Sequence, residues 1–152
     1  MVISNFPAAS TTISFGTDLG MSYMDIALNG TPTGNVQIFA ENNSAISASN
    51  GQNWSHSARL KQQAGSQTNI DAILIGDLRY SSGGFHSASS EAISLTTTAT
   101  KFQHVDTSVD DSDGSGAIQS IRPYYQLTWS SGAINITIRL YSGQMEQGAF
   151  PT

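Results

Sequence analysis

At 152 residues and with no cysteine, the chain is long enough for one domain that buries roughly 70% of its unfolded surface without disulfide support. Charged residues are only 11% of it and the formal net charge is −5. Its basic residues, Arg59, Lys61, Arg79, Lys101, Arg122 and Arg139, form no run, which argues against a nucleic-acid phosphate backbone as partner. No apolar stretch approaches the ~20 residues that span a bilayer, and Met1 to Ser10 has neither the basic nor the apolar region of a signal peptide.

Residues 1–10 lack periodicity, and Pro7 argues against a central strand there. They read as an arm, with Val2, Ile3 and Phe6 as the side chains that would lie in a groove of a neighbour or of the chain's own sandwich. Residues 11–152 read as a single domain. Thr11 to Phe15 forms a first strand, and Met21 to Leu28 a second with Met24, Ile26 and Leu28 on one face. The turn Asn29-Gly30-Thr31-Pro32 precedes a short strand from Val36 to Phe39.

Asn53 to Gln62 alternates cleanly. Trp54, His56, Ala58 and Leu60 face one way, and Ser55, Ser57, Arg59 and Lys61 the other. Ile70 to Tyr80 is the most apolar strand and predicts burial on both faces. Phe85 to Leu95 and Lys101 to Thr107 are weaker strands, and the acidic loop Val109 to Gly116 follows. The pattern is clearest from Ile118 to Glu146. Ile121, Pro123, Tyr125, Leu127 and Trp129 alternate with Arg122, Tyr124, Gln126 and Thr128. Beyond Ser130 to Ala133, Ile134, Ile136, Ile138 and Leu140 alternate with Asn135, Thr137, Arg139 and Tyr141. This reads as a hairpin with one core face and one wet face. No 3.6-residue period persists, so the chain is predicted to be an all-β antiparallel sandwich of the jelly-roll kind, without a long helix.

Little here points to catalysis. Glycan hydrolysis needs two carboxylates across a cleft, and among Asp25, Glu41, Asp71, Asp77, Glu91, Glu146 and the Asp106 to Asp113 group none sits beside aromatic residues in a way that singles out a pair. No Gly-x-Ser-x-Gly elbow occurs, and His56, His86 and His104 share no metal-ligand spacing. The expectation is a protein that is not an enzyme.

Four features taken together point to a family. They are Tyr23-Met24-Asp25-Ile26, then Asn50-Gly51-Gln52-Asn53-Trp54, then Ala64-Gly65-Ser66, and lastly the Ile-Thr-Ile-Arg strand with its Gln144-Met145-Glu146-Gln147-Gly148-Ala149-Phe150 tail. In this order the chain resembles the carbohydrate-binding-module-like jelly-roll domains of bacteriophage virion proteins, from about Gly20 to Thr152. The resemblance implies a virion surface protein made in the host cytoplasm without a signal peptide. Family members often carry a long virion-anchoring segment, which has no counterpart in these residues. That turns the leading expectation toward a capsid decoration or cement protein, working through contacts with the major capsid protein and with itself, as a homotrimer. The alternative is a glycan-binding module of a fibre or tail that touches the host surface.

On that alternative, Tyr124, Gln126, Asn135, Arg139 and Tyr141 would share one sheet face as a sugar platform, while Trp54, Tyr125 and Trp129 fill the core. The other reading of the outward tyrosines is that they cap strand ends or meet a subunit. Jelly-roll glycan binders often hold a structural calcium. Asp106, Asp110, Asp111 and Asp113 crowd one loop with the hard oxygens that calcium prefers, against the plainer reading of a solvated acidic turn. No other cofactor is implied.

Overall fold

The computed structural model describes residues 1–39, 46–106 and 116–148. Among these residues eleven strands make two antiparallel sheets. Sheet A holds β1 (Val2–Ser4), β4 (Val36–Phe39), β10 (Ile118–Trp129), β7 (Ile70–Ser81) and β8 (Gly84–Ile93) in that order, with the short β5 (Ile46–Ser47) also on β10. Sheet B runs β2 (Thr11–Asp18), β3 (Met21–Gly30), β11 (Ile134–Gln147), β6 (Trp54–Gly65) and β9 (Thr100–Asp106). Among the described residues the one helical piece is a 3-10 turn at Ala8–Ser10. The predicted all-β jelly-roll sandwich is the fold, and no described helix is long and apolar enough to cross a membrane.

The core lies where the period-two pattern puts it. Ile26 and Leu28 from β3, Ala58 and Leu60 from β6, and Ile134, Ile136, Ile138 and Leu140 from β11 face Val36, Ile38, Ile73, Ile75, Tyr125 and Leu127 of sheet A. At one end Trp54, Ile118, Ile121 and Ala48 form a second cluster. Each fully buried aliphatic side chain contributes on the order of 1.5–3 kcal/mol relative to exposure. Trp54 and Tyr125 are buried as expected, whereas Trp129 is half-buried, with its indole N–H donating to the Gly132 carbonyl at 2.8 Å.

One sequence expectation is corrected. β10 and β11 are consecutive and both amphipathic, but they do not pair. β10 pairs with β4 and β7 in sheet A, and β11 with β3 and β6 in sheet B. Residues 130–133 form an arch between the sheets. Gly132 there takes φ +73°, and the Asn69 side chain and backbone hold the arch through Ala133 O and Ser130 N. Alternation fixes which side chains go inward but not which strand is the neighbour, since a hairpin and an arch bury the same residues. The polar faces of β10 and β11 therefore point to opposite sides of the sandwich.

The amino-terminal segment is part of this same fold. β1 pairs with β4, setting Ile3 opposite Ile38, and both Ile3 and the buried Phe6 pack on the main core. Val2 packs on the outer face of sheet A beside Phe39 and Tyr124. All three arm side chains thus pack within their own chain, and β1 is an edge strand with Pro7 just beyond it, as the proline predicts.

Candidate functional site

Among the described residues, the outer face of sheet B carries a dense set of chemistry-bearing side chains. Antiparallel register sets Arg139 of β11 opposite Asp25 of β3 on one side and Lys61 of β6 on the other. The Arg139 guanidinium donates to both Asp25 oxygens, from Nε at 2.7 Å and Nη2 at 2.8 Å, the bidentate fork that arginine favours. Its Nη1 donates to Asp18 Oδ2 at 3.1 Å. The Tyr141 hydroxyl donates to the same oxygen at 2.8 Å, and Lys61 Nζ lies 3.7 Å away. Arg139 also stacks on Tyr23, its Cζ 3.4 Å from the ring centroid, and the Tyr23 and Tyr141 rings meet edge to face at 6.2 Å. Gly16 makes room for this: a Cβ there would sit 2.5 Å from the Tyr23 hydroxyl.

These contacts set the protonation states. The Tyr141 hydroxyl bond, with Lys61 and Arg139 nearby, holds the Asp18 carboxyl below its ordinary range. Arg139 is pushed further toward its charged form, chiefly by Asp25. Asp18 is thereby held as an ionised acceptor, and the Tyr23 and Tyr141 rings meet edge to face beside it. The arrangement suits contact with a hydroxyl-rich ligand.

Of the five predicted platform residues, Asn135, Arg139 and Tyr141 do share this face. Asn135 is exposed but four residues from Arg139, about 13 Å along the strand. Tyr124 and Gln126 lie on the other sheet, because the arch separates the two strands. Tyr124 is only 3% exposed. It points outward as alternation predicts, but sheet A has an apolar outer cluster of its own, in which Tyr124 packs with Phe39, Leu78, Val2 and Tyr80. Gln126 accepts a bond from Gln37 at 3.3 Å. The site residues not foreseen as such are Asp18, Tyr23, Asp25 and Lys61. The alternation of Tyr23 and Asp25 with Met24 and Ile26 carried the signal, but nothing local says that β3 lies beside β11.

Two grooves flank this network. One, of about 290 Å³, runs past Phe15, Ser22, Tyr23, Tyr141 and Ser142 at the β2 edge. The other, of about 230 Å³, lies between Met21, Arg59, Lys101, Ser142 and Gln144. They adjoin at Ser142.

A separate polar group sits between the sheets. His56 is buried, its Nδ1–H donating to the Gly76 carbonyl at 3.0 Å and its Nε2 accepting from the Tyr125 hydroxyl at 3.2 Å. Burial pushes its pKa down to about 4. Beside it Asp77 lies 3.4 Å from both His104 Nε2 and Arg79 Nε, and burial raises its pKa. Asp106, one of the four aspartates predicted for calcium, is buried and ion-paired with Arg79. Asp110, Asp111 and Asp113 lie outside the described residues, among which no three His, Asp or Glu side chains are placed to hold a metal.

No family model and no curated protein matches the chain. Solved structures do. A CBM4 module superposes with a TM-score of 0.51 at 18% identity, over 91% of this chain and 78% of that one. The family 11 carbohydrate-binding module of Clostridium thermocellum, in complex with a β-1,3-1,4-mixed-linked tetrasaccharide, gives 0.52 at 14%, covering 93% and 85%. The enzymatically active domain of bacteriophage CBA120 tailspike protein 4 gives 0.56 at 14%, over 96% of this chain but only 19% of that one. Identities this low speak for the fold, a carbohydrate-binding-module-like β-sandwich.

Proposed function

We propose that this chain is a non-catalytic module of a bacteriophage virion surface and that it binds glycan through the outer face of sheet B. One observation carries the reading: Tyr23 and Tyr141 are locked beside Arg139, Asp18 and Asp25 on the solvent side of a five-stranded sheet. Rings supply stacking surface for sugar faces, and ionised carboxylates with a guanidinium supply hydroxyl contacts. The likeness to carbohydrate-binding modules, one of them solved with a tetrasaccharide, supports the binding role. The likeness to a phage tailspike domain and the sequence motifs support the virion setting. The test is a glycan array probed with the wild type and with Tyr141→Ala. Binding lost in the variant, at unchanged circular dichroism, is the expected result; a wild type that binds no glycan refutes the reading.

The second reading is the capsid-decorating protein, homotrimeric and seated on the major capsid protein. It is favoured by the β2 edge, where Phe15 is 77% and Leu19 90% exposed. Leu19 holds φ +52°, a conformation that leucine rarely adopts. Light scattering and particle co-sedimentation of Phe15→Ser/Leu19→Asn test it; unchanged mass and unchanged particle binding count against it.

A further inference from the structure

Arg59 of β6 and Lys101 of β9 stand directly opposite each other on the outer face of sheet B. Like charges in that position repel and destabilise the pairing. Among the described residues neither has a carboxylate partner. Arg59 makes one side-chain contact, from Nη1 to the Met21 sulfur at 3.7 Å, and both residues are exposed. In a chain of net charge −5, the same face also carries Lys61 and Arg139, so four of the six basic residues meet on one sheet of the sandwich. Asp18 and Asp25 engage Lys61 and Arg139; Arg59 and Lys101 are left over. They line a groove with Met21, Ser57, Ser142 and Gln144 that adjoins the tyrosine groove at Ser142.

We infer that the ligand of this face is an acidic polysaccharide whose anionic group, carboxylate or sulfate, sits between Arg59 and Lys101 while a neighbouring sugar ring reaches Tyr141. The inference rests on the glycan-binding reading and deepens it. An anion in the groove removes the repulsion that folding leaves in place, and the guanidinium fork suits a carboxylate or sulfate. Two uncommitted cations are too few to follow a nucleic-acid backbone, whereas Ser142 and Gln144 beside them offer hydroxyl and amide groups of the kind that bind sugars.

The test is affinity electrophoresis of the protein through gels containing polygalacturonate, heparin, neutral mixed-linkage β-glucan or single-stranded DNA. The wild type should be retarded by the acidic polysaccharides, less so as salt rises. Arg59→Gln/Lys101→Gln should weaken that binding by about tenfold or more and leave any neutral-glucan binding unchanged. Retardation by polygalacturonate alone assigns a carboxylate, by heparin alone a sulfate. Lys101→Glu guards against misfolding: it replaces repulsion by a cross-strand ion pair, so its melting temperature should rise while acidic binding is lost. Acidic polymers that retard wild type and double variant equally, or DNA that binds as well as they do, overturn the inference. Neutral binding with no preference for acidic polymers overturns it and leaves the glycan reading standing. No retardation by any polysaccharide, in protein shown to be folded, overturns both.

Discussion

His56 gives the sharpest link between a single contact and bulk behaviour. Because a carbonyl only accepts, the Gly76 bond fixes the proton on Nδ1, and Nε2 is then the acceptor for the Tyr125 hydroxyl. A second proton would turn both ring nitrogens into donors, reverse the Tyr125 bond so that its oxygen accepts, and bury a charge inside the sandwich. The unfolded chain takes up that proton near the ordinary 6.5, the folded protein only near about 4. Between these values the unfolded state holds more protons, so stability falls as pH falls through this window. At 1.36 kcal/mol per pH unit the full loss is about 3 kcal/mol, of which about 2.5 kcal/mol is reached at pH 4.5. Asp77, raised by burial, works the other way, since its protonation at low pH relieves the cost of a buried charge. The comparison must therefore isolate the histidine. His56→Gln keeps an N–H for Gly76 and an oxygen for Tyr125 without a proton to gain. Urea unfolding followed by tryptophan fluorescence at pH 7 and pH 4.5 should show the wild type losing about 2–3 kcal/mol more than the variant. Equal losses in the two proteins would refute the protonation argument.

Ile138→Ala, in the central strand of sheet B, should cost about 2–5 kcal/mol in urea unfolding through lost transfer energy and a cavity; a change within error would contradict its burial. Gly76→Ala places a Cβ 2.2 Å from the Ser89 carbonyl oxygen, so β8 must move away from β7; the expected loss is about 1–3 kcal/mol, and an unchanged melting curve would mean that the strands are further apart. Tyr141→Phe removes the first cause of the lowered Asp18 pKa, so a carboxyl NMR titration should show Asp18 moving up; no movement would deny the hydrogen bond.

The fold was largely legible because a β-sandwich writes itself as a period of two. Ile26, Leu28, Ala58, Leu60, Ile136 and Ile138 alternate with polar neighbours, and all are buried. What alternation does not encode is which strands become neighbours. Hence alternation places Asn135, Arg139 and Tyr141, on one strand, on one face, whereas Tyr124 and Gln126 lie on the other sheet. Outward direction was also mistaken for exposure at Tyr124, since burial there depends on Phe39 and Leu78 from two other strands. The partners of Arg139 are 114 and 121 residues away in sequence, beyond any local pattern. The inter-sheet pairing of His56 with Tyr125 is of the same long-range kind.

The arch between β10 and β11 is what gives the molecule two different faces. A hairpin would have set Arg122 and Arg139 on one surface. The arch sends Arg122 to sheet A, where it stacks 3.8 Å from the Phe39 ring centroid, and Arg139 to sheet B with Lys61 opposite it. Sheet A then closes part of its outer surface with aromatic packing around Tyr124, while sheet B gathers four of the basic residues of an acidic chain. A sheet stabilised only by burial gains nothing from placing Arg59 against Lys101, because that pair opposes the strand pairing it sits on. An anion held between the two would remove that repulsion, which is the role proposed above for the acidic polysaccharide.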